Sequence, residues 1–325
     1  MELFDSYGRR IRYLRLSVTD RCNLRCQYCM PATGISKCQH AEILSYEALH
    51  RIASETVALG IDKIRITGGE PLVRKGLLPF IERLATLPGL KELVLTTNGL
   101  LLPELAHPLR QAGVKRLNIS LDSLKPEVFA SITRGGDLRR VLTGIDAAMT
   151  AGLPAPKLNM VVMRGINDDE VLDFAALTLN QAFTVRFIEY MPNLQKLGWQ
   201  KLCVPGSELQ ERIASRFKLL PMVSNETAGP AKNFRIAGAA GALGFITPIS
   251  GHFCGSCNRI RVSADGRAHS CLFAGTSTDL KPALHNGNKE LRRTLQALVE
   301  KKPLGHVLQQ ELDYRSAFAM SGIGG

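Results

Sequence analysis

The sequence predicts an α/β fold: a partial (βα)6 TIM-type barrel followed by a smaller C-terminal domain. Three observations predict it. Short apolar runs alternate with helix-period segments through the first two thirds of the chain, the rhythm of βα units around a parallel sheet. Within those runs, apolar and polar side chains alternate. From about Leu219 the rhythm stops, and a Gly/Ala-rich stretch, RIAGAAGALGFITPIS, takes over.

In chain order the strand candidates are RYLRLSV (12–18), KIRITGG (63–69), ELVLTTNG (92–99), RLNISLD (116–122), KLNMVV (157–162) and TVRFIEYM (184–191). Amphipathic helices separate them. In the segment Ser45 to Leu59, Ser45 is the N-cap, Leu49, Ile52 and Val57 share one face, and Gly60 ends the helix. Six units suit an open or partial barrel better than a closed eight-stranded one. A boundary near residue 218 divides the chain into 1–218 and 219–325.

Strand parity separates two layers. Leu14, Leu16, Ile64, Ile66, Leu93, Leu95, Leu117, Ile119, Leu158, Met160, Val185 and Phe187 form an apolar layer that faces helices. The other parity holds Arg15, Ser17, Lys63, Arg65, Thr67, Thr96, Asn98, Asn118, Ser120, Asp122, Lys157, Asn159 and Arg186. Barrel interiors are normally filled by branched apolar residues, and unpaired buried charge is costly. A polar interior therefore implies a wet cavity for a large anionic ligand, although a flat sheet with one solvated face would show the same parity. The formal charge of +12 agrees with an anionic partner.

The first residues, MELFDSYGRR, contain no apolar signal segment, and no apolar run approaches the ~18 residues of a membrane span. A soluble, cytoplasmic protein is expected. Eight cysteines in such a chain argue for metal ligation or redox chemistry rather than disulfides.

Cys22, Cys26 and Cys29 follow the first strand directly, at the end of the sheet where parallel α/β folds place their active sites. A C-x3-C-x2-C loop can hold three irons of a cubane cluster and leave the fourth open. Structural zinc with Cys38 or His40 as fourth ligand is the alternative on spacing alone. CNLRCQYC, with Tyr28 before the third cysteine, and ITGGEP after strand two together resemble the radical S-adenosylmethionine (SAM) superfamily. That resemblance implies SAM on the open iron and its one-electron cleavage to a 5′-deoxyadenosyl radical.

A second group, FCGSCNRIRVSADGRAHSC, contains Cys254, Cys257 and, after thirteen intervening residues, Cys271. Zinc completed by His252 or His269 is the alternative here. Arg259 and Arg261 stand at i and i+2, so on a strand they point the same way and suit a polyphosphate or an electron-rich base. From LRLSVTDRCN through IRITGGEPL, LTTNGL, NISLDSL and VRFIEYM to FCGSCNRIRVS, CLF and the closing Gly324-Gly325, the chain resembles the GTP 3′,8-cyclase family.

The resemblance implies two 4Fe-4S clusters, one on Cys22, Cys26 and Cys29 and one on Cys254, Cys257 and Cys271, the second binding the guanine of GTP. It places SAM against Tyr28, Gly69, Ser120 and Met191, and GTP against Arg15, Arg65, Thr96, Lys157, Arg259 and Arg261. Lys63 and Arg186 share the polar parity and are expected near the phosphates. The implied reaction removes the ribose 3′-hydrogen of GTP as an atom, joins that carbon to guanine C8, and quenches the resulting radical with one further electron and a proton. The product is 3′,8-cyclo-7,8-dihydro-GTP, the first step of molybdenum cofactor biosynthesis. Implied partners are an electron donor such as a flavodoxin, a downstream pterin synthase and a second copy of the chain, with neither nucleic acid nor membrane. No single residue stands out as catalytic.

Two other functions compete. A two-cluster radical SAM enzyme acting on a peptide or sulfur-containing substrate would not need inward arginines for a triphosphate. A zinc-bearing RNA-binding protein would explain the charge, yet no basic run or aromatic-interleaved patch stands out. The tail MSGIGG departs from the family pattern at Gly322, where a larger residue is usual. The segment MPNLQKLGWQKL, which contains the single tryptophan, Trp199, also departs and is given no role. Cys38 and Cys203 read as packing thiols.

Overall fold

In the computed structural model, residues 2–34, 38–191, 198–223, 229–273 and 276–305 are described. The six predicted strands form as β1 (Tyr13–Ser17), β2 (Lys63–Thr67), β3 (Glu92–Thr97), β4 (Arg116–Ser120), β5 (Lys157–Val162) and β6 (Thr184–Glu189). Six more follow: β7 (Leu219–Pro221), β8 (Lys232–Ile236), β9 (Ala242–Ile246), β10 (Arg259–Val262), β11 (Arg267–His269) and β12 (Thr278–Asp279). All belong to one sheet, in the order β12-β11-β10-β1-β2-β3-β4-β5-β6-β9-β8-β7.

The strands β1 to β6 lie side by side in chain order and run parallel. Two strands from beyond residue 218 extend this wall in the same direction, β10 beside β1 and β9 beside β6. Antiparallel pairs then finish each edge, β11 and β12 on one side and β8 and β7 on the other. The outermost strands are only three and two residues long, which limits edge-to-edge association.

Helices cover one face: α1 (Tyr46–Ala58), α2 (Leu77–Ala85), α3 (Leu102–Gln111), α4 (Pro126–Thr133), α5 (Leu138–Thr150), α6 (Val171–Asn180), α7 (Gly206–Ala214), α8 (Lys281–His285) and α9 (Asn288–Glu300). The predicted start of α1 is as expected, since the Ser45 hydroxyl accepts the Ala48 N–H at 3.2 Å. Leu49, Ile52 and Val57 are buried, and Gly60 continues the chain with φ +100°. The last helix returns to the first unit, where Arg292 of α9 pairs with the buried Glu55 of α1 and Arg51 donates to Asn288 at 2.6 Å.

The apolar layer inferred from parity is the core. None of Leu14, Leu16, Ile64, Ile66, Leu93, Leu95, Leu117, Ile119, Leu158, Met160, Val185 and Phe187 is more than 2% exposed. Phe187 of β6 also meets Phe245 of β9 with ring centroids 5.7 Å apart, so the added edge strand is packed as core. Phe187→Ala is expected to cost about 3–5 kcal/mol of stability through the cavity it leaves, read as a fall in the denaturant midpoint at unchanged slope.

Candidate active site

Both cysteine groups and many of the inward strand residues line one cavity of about 280 Å³. Cys22, Cys26 and Cys29 lie past the C-terminal end of β1. Cys254 and Cys257 precede the N-terminal end of β10, which is parallel to β1, and Cys271 follows β11, whose antiparallel register returns it to that same end. The two groups therefore sit at opposite ends of the strands. At roughly 3.3 Å per residue, the five residues of β1 set about 16 Å between them.

The first loop is held by backbone contacts from two directions. Gln27 and Arg25 donate their N–H groups to the carbonyls of Ile132 and Thr133 at the end of α4, at 2.9 and 3.2 Å. Arg134 donates to the Arg25 and Met30 carbonyls at 2.6 and 2.9 Å. To do so it takes φ +56°, the one left-handed non-glycine conformation among the described residues. On the other side, the Gly69 N–H donates to the Thr19 carbonyl at 2.7 Å and the Glu70 N–H to that of Arg21 at 2.8 Å. The two chains lie so close that a Cβ on Gly69 would stand 2.3 Å from the Arg21 carbonyl oxygen.

Glu70 extends this clasp to β3. Its carboxylate accepts the Leu72 and Asn98 N–H groups at 3.0 and 2.7 Å and the Thr97 hydroxyl at 2.8 Å. Burial nevertheless pushes its pKa up to about 7. The Tyr28 hydroxyl donates to Asp122 at 2.8 Å; burial raises Asp122 to about 6, against the opposing pull of the Val161 N–H and that hydroxyl. Sequence reasoning placed Asp122 on the inward face but gave neither carboxyl a role.

Register aligns the cations. Arg261, Arg15, Arg65, Val94 and Arg116 are paired successively across β10, β1, β2, β3 and β4, and a second row, which starts four residues further along β4, brings Ser120, Asn159, Arg186 and Gly244 together. Gly244 leaves room for Arg186, whose Cγ would lie 3.2 Å from a Cβ there. Arg15, Arg65, Arg186, Arg259 and Arg261 all line the cavity, against one lining acid, Glu70. Burial and neighbouring guanidiniums depress Arg15 well below its ordinary value, Arg186 to about 9 and Arg261 to about 10. The Nε atoms of Arg15, Arg65 and Arg186, the Thr96 hydroxyl and the Asn159 side-chain Oδ1 are buried without a protein partner. Buried polar groups are normally satisfied, so the guanidinium and hydroxyl donors among them are set for a multivalent anion.

Tyr28, Gly69, Ser120 and Met191 line the cavity, as do Thr96, Arg259 and the other arginines expected from the sequence. Lys157 and Lys63 do not: Lys157 lies beside Arg186 and Arg65, and Lys63 is paired with Glu92 at 2.7 Å. Cys38, Cys203, His252 and His269 are likewise absent from the lining. Trp199 packs near Ile132, Met163 and Tyr190. The side chain of His40, part of the 192–202 segment (192–197), Gly322, Gly324 and Gly325 lie outside the described residues.

The thiols fit iron–sulfur clusters by their chemistry. None of the six is in a disulfide and all are half-buried, with N–H donors aimed at sulfur: Leu24 to Cys22 at 3.4 Å and Arg259 to Cys257 at 3.8 Å. Burial raises Cys22, and Cys26 further still. At Cys257 burial is outweighed by Arg259 and Lys302, which hold the thiol at about 6.

The close approach at Gly69 gives a direct expectation. Gly69→Ala must move backbone on one side or the other, because the atom it meets is a carbonyl. A loss of roughly half or more of the iron bound at the first cysteine group is expected, with the apolar core intact by circular dichroism.

The family model of the radical SAM superfamily matches residues 16–178, and that of molybdenum cofactor synthesis C matches residues 183–308. The chain is 59% identical to a GTP 3′,8-cyclase of Geobacter sulfurreducens and 46% identical to those of Alkaliphilus oremlandii and Moorella thermoacetica. Coverage of both sequences is 100% in the first pair and 99% in the others. Streptococcus suis SuiB bound to SAM shares the fold, with TM-score 0.63 and 14% identity over 92% of this chain and 68% of its own. So does the SAM-bound anSMEcpe, at TM-score 0.57 and 16% identity over 87% and 82%. The chain thus belongs to the GTP 3′,8-cyclase family of the radical SAM superfamily.

Proposed function

We propose that this chain converts GTP to 3′,8-cyclo-7,8-dihydro-GTP, opening molybdenum cofactor biosynthesis. One observation carries the reading: a single cavity has three cysteines at each end of its strands and five arginines between them. Cys22, Cys26 and Cys29 would hold one 4Fe-4S cluster and Cys254, Cys257 and Cys271 the other. When bound, the first cluster and SAM supply the one-electron chemistry that removes a hydrogen atom from substrate.

What the chain itself does is position and neutralise. The backbone clasp at Gly69, with Tyr28, Ser120 and Met191, presents SAM at the C-terminal ends of the strands. Arg15, Arg65 and Thr96 on the central strands, with Lys157 beside them, take the triphosphate, and Arg186 adds a further cation. Arg259 and Arg261 orient the nucleotide toward the second cysteine group. Fixing both reactants in one pocket supplies the proximity that a radical transfer of hydrogen requires. The wall also excludes bulk water through the apolar layer behind it.

We further propose residues 1–218 and 219–325 as two functional units, each contributing one cysteine group. An electron donor such as a flavodoxin, a downstream pterin synthase, a homodimer and a cytoplasmic location complete the proposal. Among the described residues no helix is long and apolar enough to cross a membrane.

The deciding experiment reconstitutes the protein with iron and sulfide without oxygen, adds SAM and a reductant, and measures 5′-deoxyadenosine with GTP, ATP or no nucleotide. Release that rises with GTP alone, together with a cyclised nucleotide, supports the reading. Release indifferent to nucleotide moves the substrate elsewhere.

Lys157 offers a pH test. Burial, then Arg186, Arg116, Lys63 and Arg65, push it down to about 6. At about pH 7.5 it is therefore neutral in the free protein, and a triphosphate favours its charged form. GTP binding should take up as much as one proton at that pH and progressively less toward about pH 5. Calorimetry in buffers of different ionisation heat measures the uptake, and Lys157→Met should remove it.

A further inference from the structure

Lys302, just beyond α9, is a cation that the site described above leaves unexplained. It is 3% exposed. Its ammonium donates to the Arg259 carbonyl at 2.9 Å and to the Ser270 carbonyl. Arg259 lies two residues after Cys257, and Ser270 immediately precedes Cys271. One side chain thus ties together the ends of the two strands that bring these cysteines to the cavity.

Arg9 fixes the third cysteine to the same support. It donates to the Cys254 carbonyl at 2.7 Å and to the Pro303 and Leu304 carbonyls at 2.6 and 3.0 Å. Its Nε is held by the buried Asp5 at 2.5 Å. The first and last parts of the described chain therefore meet behind the second cysteine group, with the segment that carries Lys302 locked in place.

Carbonyl dipoles alone poorly offset a buried ammonium, which costs several kcal/mol in the absence of a facing anion. Lys302 stands close enough to Cys257 and Cys271 for their charge to act on it. As metal ligands both are thiolates, so a cluster would add to the negative charge that Cys257 already turns toward Lys302. A cluster also gains negative charge on reduction, and a fixed cation beside it favours the reduced form.

Resting on the reading of Cys254, Cys257 and Cys271 as ligands of the second cluster, we propose that Lys302 is a positioning residue for that site. It fixes the separation of Cys257 and Cys271 and supplies the permanent positive charge that raises the potential of the cluster they hold.

The test isolates each site. In a Cys22→Ala, Cys26→Ala, Cys29→Ala background, the protein should bind about four irons per chain. Adding Lys302→Met should at least halve that loading at limiting iron, or shift the midpoint of what is bound to more negative potential in a spectroelectrochemical titration. Lys302→Arg should restore the charge and move the midpoint back. In the complementary Cys254→Ala, Cys257→Ala, Cys271→Ala background, Lys302→Met should leave iron at the first site unchanged, which shows that the fold survives. Unchanged loading and midpoint in the first background would overturn the proposal, and so would equal iron loss in both. A parent protein that bound no iron at the second group would instead overturn the reading beneath it, and the proposal with it.

Discussion

Five arginines facing one cavity, two of them buried, against a single lining acid among the described residues are the constraint on which the structure depends. Burial first and like charge second oppose folding until an anion arrives, and the depressed values of Arg15, Arg186 and Arg261 express both. The offset is on the other face of the same strands. Twelve aliphatic or aromatic side chains, none more than 2% exposed, pack against the helices and hold the sheet in a register that places Arg261, Arg15, Arg65 and Arg116 in one row. Stability is built on the outside of the wall and spent on its inside.

The two cysteine groups use opposite ends of that wall. The first follows the end where parallel α/β folds expose their loops, and its shape is held by backbone contacts from Gly69, Glu70 and the end of α4 together with the buried Leu24 and Met30. The second needs strands of its own. β10 places it by pairing with β1, and β11 turns back so that Cys271 rejoins Cys257. The charged face between the two groups is thus a strand length deep, enough to separate two bound molecules while keeping them in one enclosure.

Electrostatics distinguish the groups. Burial dominates at Cys22 and Cys26, so ionisation there depends on the metal itself. At Cys257 the cations Arg259 and Lys302 outweigh burial and prepare a thiolate before any metal arrives. A thiol that ionises near neutral pH binds metal with less proton release than one that burial keeps protonated.

The alternation of side chains by itself determined the layer of core residues and the inward face of cations, because a period of two leaves no freedom once one face must be buried. The spacing of Cys22, Cys26 and Cys29 and of Cys254, Cys257 and Cys271 likewise marked the two cysteine groups that line the cavity, since residues close in sequence are close in space. Tertiary structure decided what depends on distant pairing. The addition of β9 and β10 to the two sides of the six-stranded core joins residues whose proximity no local pattern encodes. The removal of Lys63 from the lining follows from Glu92 on the next strand, a partner that parity cannot reveal. Lys302 and Arg9 reach the second cysteine group from segments nearly three hundred residues apart, and nothing in their own neighbourhood of sequence predicts it, because a long side chain is assigned only when the carbonyls it must satisfy have been brought to it.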